Sequence, residues 1–240
     1  MPTLPVPEQE ESLPCAHYGD HAERIGSALR RGEALALLLV DGSPLARIES
    51  RYGVQAHRRA VETLGALVRE ACLPDLGEED LMVTGSAGPD ELALFFFRPR
   101  SDSHFYCTRL PEIERRLVER LEQEGQKIVY PYERDAPDLS VGQATSFYDP
   151  GLGEARQILA ALEQARRDAE LNRAITRRDR RRIFQQLVLA EDISVLYEPI
   201  VNLTTREVLG FEALVRGPWK TDLHAPHRLF QRAEETGLVF

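Results

Sequence analysis

Ser194 to Arg216 reads Ser-Val-Leu-Tyr-Glu-Pro-Ile-Val-Asn-Leu-Thr-Thr-Arg-Glu-Val-Leu-Gly-Phe-Glu-Ala-Leu-Val-Arg, two β-rich runs around a polar turn. Val195 to Val201 is β-branched and aromatic, and Val208 to Val215 repeats that character. Asn202 to Arg206 between them has the chemistry of a turn joining antiparallel neighbours. Alternation along the second strand puts Val208, Gly210, Glu212, Leu214 and Arg216 on one face. A carboxylate and a guanidinium on an otherwise apolar face are either a structural pair or part of a site.

Composition sets the frame. The chain has 240 residues, 42% hydrophobic and 29% charged, which suits one or two globular domains. A net charge of −9 argues against a whole-surface nucleic-acid binder. Cys15, Cys72 and Cys107 are odd in number and far apart, as reduced thiols would be, without zinc spacing. No run approaches the ~20 apolar residues of a membrane span, and the N-terminus has no signal-peptide pattern. The cytoplasm is the expected location.

Upstream of the hairpin, Pro2, Pro5, Pro7 and Pro14 with Glu8, Glu10 and Glu11 predict an unstructured tail over 1–22. His17 and His21 at i, i+4 spacing read as a surface pair, because no further metal ligands cluster near them. Ala34 to Val40 predicts a strand buried on both faces and ends at Asp41. Helices are expected over Leu45–Tyr52, Gln55–Cys72 and Pro111–Glu124, and strands over Leu81–Thr84, Leu92–Phe97, Lys127–Tyr130 and Leu139–Ala144. From Gly153 to Ala190 one long helix, or two with a break near Thr176, would link two domains. Eight arginines fall between Arg166 and Arg182. They read as a solvated face with partners such as Glu163, the alternative being a surface for an acidic partner.

The stretch around Ser194–Arg216 resembles the opening of the EAL family, phosphodiesterases that linearise cyclic di-GMP. Tyr197, Pro199, Ile200, Val201, Gly210, Phe211, Glu212, Ala213, Leu214 and Arg216 match its opening pattern. Pro226, Phe230 and Ala233 to Leu238 look like its first barrel helix. The resemblance implies a (β/α)8 barrel in which Glu212 ligates Mg²⁺ or Mn²⁺ and Arg216 contacts a ligand phosphate. Glu198 stands where the family has a ligand-contacting Gln, which adds negative charge near a dianionic ligand. A barrel takes roughly 250 residues, and 47 run from Ser194 to Phe240, so the chain is expected to be the front part of a longer protein. In this chain alone no residue is expected to be catalytic.

Residues 33 to 150 resemble the GGDEF family, the diguanylate cyclases. Leu37 to Asp41 looks like the first strand and its metal-binding Asp, Arg51-Tyr52-Gly53 like a later Thr-Tyr-Gly, and Leu139 to Gly142 like a Ser-Ile-Gly strand. Gly88-Pro89-Asp90-Glu91-Leu92 stands where Gly-Gly-Asp-Glu-Phe belongs. Phosphoryl chemistry on GTP needs carboxylates to hold divalent ions, and glycine to let backbone approach phosphate. Asp41 and Asp90 retain two carboxylates. Ser43 replaces another, Pro89 removes an N–H, and Glu49 and Arg58 stand at the family's guanine-reading positions. The site reads as degenerate and cyclase activity is not expected.

The expectation is therefore an α/β (α+β) chain: a tail over 1–22, a degenerate GGDEF-like mixed sheet with flanking helices over 23–150, a helical linker over 151–191, and the start of an EAL barrel over 192–240. Its complete form would hydrolyse cyclic di-GMP to linear pGpG with Mg²⁺ or Mn²⁺. GTP as a regulator and a homodimer are expected partners. The alternative is a non-enzymatic module that uses the GGDEF-like domain and the arginine-rich helix for dimerisation or docking.

Overall fold

The computed structural model describes residues 15–238, in two compact units that divide between Arg173 and Ala174. The first unit is built on β1 (Ala34–Asp41), buried along its length to Val40. Antiparallel partners flank it: β3 (Glu91–Phe96) on one side and β4 (Ser140–Phe147) on the other. With β2 (Leu81–Thr84) beyond β3, the order is β2-β3-β1-β4. Helices α2 (Ala46–Tyr52) and α3 (Val54–Cys72) carry the chain from β1 to β2, and α4 (Leu110–Val129) carries it from β3 to β4. Each crossover returns parallel to its start but one strand away, giving two interlocked split βαβ units. The sheet expected to be mixed is thus antiparallel at every ladder among the described residues. The tight β2–β3 turn is the cause, since it forces β3 back into the slot beside β1.

Strand parity sorts the core onto two faces. Leu35, Leu37 and Leu39 pack with Ile25 and Leu29 of α1 (Ala22–Gly32) and with Ile158 and Leu162 of α5 (Glu154–Leu189). Ala36, Leu38 and Val40 pack with Leu64 and Val68 of α3 and with Ile113 and Leu117 of α4. Each fully buried leucine is worth about 1.5–3 kcal/mol relative to exposure, which is why the run tolerates no polar residue before Asp41. Helix α5 lies very close to β4: a Cβ on Gly142 would come within 2.1 Å of the Ala165 carbonyl oxygen and 2.3 Å of the Ala169 nitrogen. The alanines at 161, 165 and 169, all buried, make that approach possible. The helix also covers the outer edge of β4, where Asp168 accepts from the Gln143 N–H at 2.9 Å and Asn172 donates to the Val141 carbonyl at 2.9 Å.

Two local expectations change, and an open one closes. Of the tail expected over 1–22, residues 1–14 lie outside the described residues, whereas 15–22 are folded: Cys15 is buried and His17 bridges to Thr84. His17 also caps a 3-10 turn over Tyr18–His21, its Nδ1 accepting from the Gly19 N–H at 3.1 Å. Lys127–Tyr130 is not a strand. Ile128 and Val129 complete the buried helical series Leu110, Ile113, Leu117 and Leu121 of α4, and that register overrides their β propensity. Helix α5 runs without a break near Thr176. Helix α1, to which the sequence reading assigns no element, is anchored by Ile25, Ala28 and Leu29.

The second unit contains the last part of α5, the hairpin of β5 (Ser194–Val201) and β6 (Val208–Arg216), and α6 (Pro226–Thr236). Both strands were expected, and they pair antiparallel. The Asn202 side chain closes the turn by accepting from the Thr204 and Thr205 N–H groups at 2.8 and 3.1 Å. Helix α6 ends at Gly237 in the left-handed conformation, φ 68°. The core here is small: Phe184, Leu187, Leu223, Leu229 and Ala233. No helix among the described residues is long and apolar enough to cross a membrane.

Candidate functional site

In the first unit the candidate residues gather at one end of the sheet, and parity divides them. Glu91, Asp41 and Ser140 are partners across β3, β1 and β4 and share the α5 face. Asp90, one residue earlier in the turn, meets α3. Gly88 in that turn has φ 138°, a conformation glycine alone adopts readily. Pro89 follows it without an N–H to offer. Leu92 is fully buried in the core.

Each carboxylate has an internal partner. Glu91, 5% exposed, receives Arg166 in bidentate fashion, Nε at 2.7 Å and Nη2 at 2.9 Å. The same guanidinium donates to Ser86 Oγ at 2.8 Å and to Glu163. The Glu91 carboxylate, placed first among its partners, holds Arg166 above its usual pKa range. Asp41 accepts from the Ser43 N–H at 2.9 Å and from Arg173 Nη2 at 2.8 Å. Asp90 Oδ1 lies 2.5 Å from His57 Nε2. Burial pushes the Asp90 carboxyl above the ordinary carboxylate range, His57 opposes that, and Glu49 and Asp41 add to it.

The sequence reading singled out Asp41, Asp90 and Glu91 but not His57, Arg166 or Arg173. The charge pattern of α5 predicts a solvated face for the arginines. Arg166 does pair with Glu163, yet its main partner and that of Arg173 lie on the sheet. A signal for this exists in the spacing. Leu162, Arg166, Ala169 and Arg173 follow one another at helical i+4 and i+3 steps, so the two arginines occupy the stripe that packs inward. His57 likewise falls between Ala56 and Ala60 on the buried side of α3.

A divalent ion fits this arrangement poorly, because Asp41 is already paired with Arg173 and Asp41 and Asp90 face different elements. Among the described residues no group of three or more His, Cys, Asp or Glu side chains is placed to hold a metal.

In the second unit Glu198 and Glu212 are direct cross-strand partners, and Arg216 sits opposite Ser194 on the same face. Both glutamates are exposed, and two like charges directly opposite repel. That pair offers two hard oxygen donors, which suits Mg²⁺ or Mn²⁺ in type but is short of a full ligand set. The Arg216 guanidinium donates to the Val215 carbonyl at 2.9 Å and lines an open cleft of about 440 Å³ with Asp192, Leu196, Trp219 and His224. Glu198 and Glu212 lie outside that cleft. Trp219 meets His224 edge to face at 4.8 Å.

No family model matches the chain, and no curated protein does. Among solved structures the chain is similar to the GGDEF domain of FimX from Pseudomonas aeruginosa, at 16% identity and TM-score 0.48, covering 70% of this chain and 95% of that one. It is similar to the active GGEEF domain of a diguanylate cyclase from Vibrio cholerae at 12% identity and TM-score 0.45, covering 66% and 90%. Vibrio cholerae LapD, as an S helix-GGDEF-EAL structure bound to c-di-GMP, is similar over 92% of this chain at 9% identity and TM-score 0.47. The chain spans about half of that LapD structure, 51%.

Proposed function

We propose that this chain is the front part of a cyclic di-GMP signalling protein, in which a cyclase-like unit without nucleotide chemistry precedes the start of an EAL-type barrel. The observation that carries the reading is the face of the β5–β6 hairpin, where Glu212 and Arg216, two residues the EAL resemblance assigns to the site, share one face with Glu198 directly across from Glu212. In a completed barrel Glu212 would ligate Mg²⁺ or Mn²⁺, which supplies an activated water for attack on the phosphodiester. Arg216 would bind a ligand phosphate through its planar fork. Glu198 would weaken that binding by setting a second negative charge beside the ligand. The internal pairs on Asp41, Asp90 and Glu91 speak against turnover of GTP and support a regulatory role for the first unit.

The test is hydrolysis of cyclic di-GMP by the full-length protein with Mn²⁺, followed as linear pGpG by chromatography. Activity abolished by Glu212→Gln supports the reading, and Glu198→Gln is expected to tighten ligand binding. Neither hydrolysis nor binding in the full-length protein would leave the non-enzymatic docking module as the function. The exposed side chains of Ile175 and Ile183 beside the arginines of α5 favour that second reading.

A further inference from the structure

One face of the first unit gathers tyrosine and arginine side chains where α2 meets α3. Tyr52, at the end of α2, lies against Tyr132 with ring centroids 5.3 Å apart. Tyr52 and Val54 are half-exposed, and Tyr130 is 72% exposed. A single carboxylate, Glu133, serves both Arg47, at 2.8 Å from its Nε, and Arg51, at 4.0 Å. Arg58 and Arg59 follow on the first turns of α3, and Arg134 stands beside Glu133 in sequence. These last three arginines have no ion-pair partner among the described residues. With Glu49 and Glu62 included, five guanidinium groups meet three carboxylates, an excess of positive charge on a chain whose net charge is −9. Tyrosine and arginine are also the side chains that most often anchor a partner.

We propose that this face is the docking site of the chain's own opening segment, Pro2 to Glu11, which lies outside the described residues. The segment is complementary to the face in two respects. Pro2, Pro5 and Pro7 restrict φ to values of the polyproline II form, which aromatic-lined grooves take up at low ordering cost. Glu8, Glu10 and Glu11 follow, and the chain has no Lys or Arg before Arg24. With the prolines on the Tyr52–Tyr132 pair, these carboxylates fall toward Arg58 and Arg59 of α3. The stem of the segment is fixed on the same side of the sheet. Cys15 belongs to the buried cluster against which Tyr132 packs and lies beside the Arg69 guanidinium, and the Ala16 carbonyl accepts from the Thr84 N–H at 2.9 Å. From Arg69 back to Val54 along α3 is about 22 Å, and polyproline II chain from Cys15 back to Pro7 covers about 25 Å. The two lengths match. The tether also holds the segment at roughly millimolar effective concentration, so a weak contact is enough to fill the face.

The experiment compares hydrogen exchange by mass spectrometry in the 240-residue chain and in the same chain carrying Glu8→Lys, Glu10→Lys and Glu11→Lys. Exchange over residues 46–54 and 130–134 is expected to rise several-fold in the triple variant, with no change in β1. A labelled peptide of residues 1–14 is then titrated by fluorescence anisotropy. It is expected to bind the triple variant and to be excluded from the wild-type chain, whose face is already filled. Tyr52→Ala added to the triple variant is expected to weaken the peptide about tenfold, a usual loss for an aromatic anchor, and raised NaCl to weaken it further. Should Tyr52→Ala fail to fold, Arg51→Gln, an exposed change that leaves the ring pair intact, replaces it with the same expected direction. Equal exchange in the two chains, equal peptide binding by them, or binding that these substitutions leave unchanged overturns the proposal. A wild-type dimer that the triple variant abolishes also overturns it, because the segment then docks on a second copy.

Discussion

At the scale of single residues the first unit is a set of buried charges with fixed partners, and their removal has a definite sign. Arg166→Met leaves the Glu91 carboxylate buried and unpaired, which is expected to cost about 2–4 kcal/mol, at or just below the range for breaking a buried pair because Arg166 is partly exposed. Urea denaturation measures it, and the double variant Glu91→Leu/Arg166→Met should recover most of the loss, since an apolar pair carries no desolvation cost. Asp90 behaves differently. Burial raises its pKa above the usual 3.8, so the folded state holds the proton more tightly than the unfolded state. The stability it contributes is present below pH 3.8 and is lost as pH rises through the raised folded value. Asp90→Asn cannot lose that proton. Its urea midpoint should gain on that of the wild type between pH 4 and pH 7; an equal difference at both ends of that range would refute the assignment. Glu114, raised by burial and then by the Asp168 carboxylate, has the same sign.

At the scale of elements, contact between α5 and β4 depends on the absence of one side chain. Gly142→Ala drives a methyl group into the α5 backbone at Ala165 and Ala169, and neither backbone can yield as a flexible side chain would. An overpacking cost of about 1–3 kcal/mol is expected, with a lower melting temperature and faster exchange across residues 161–173. The β5–β6 hairpin is the opposite case. Its residues Val195, Leu196, Tyr197, Ile200, Phe211 and others are exposed, and an isolated two-stranded ribbon is marginal in water. Amide exchange in β5 and β6 should be faster by orders of magnitude than in β1 and β3, and equal protection would show that the hairpin is covered in solution.

At the scale of the whole molecule, the two units differ sharply in buried apolar material. Among the described residues the first contains two clusters, one on each face of its sheet, and the second a single cluster of five buried residues. The second is expected to unfold at lower denaturant, so the chain should not behave as one two-state system. Trp219, the one tryptophan, reports on the second unit through its contact with His224. Its fluorescence midpoint should precede that of far-UV circular dichroism, and coincident transitions would contradict this.

The amino-acid sequence by itself determined the elements whose signals are local. The apolar run of β1, the periodicity of α3 and α4, the Asn202 turn and the Gly237 stop are each written within a few neighbouring residues, and each formed. β propensity also misled locally, as at Ile128 and Val129, where β-branched residues belong to a helix whose buried face they complete. Tertiary structure alone decided what the candidate site became. Asp41 and Glu91 are 50 positions apart in the chain and their cations lie further on still. Which carboxylate meets which guanidinium follows from strand order, from the parity that turns Asp41 and Glu91 toward α5 and Asp90 toward His57, and from the closeness that Gly142 allows. Those are relations between distant segments, fixed only when the sheet closes, because a charge selects its partner by distance in space and not along the chain.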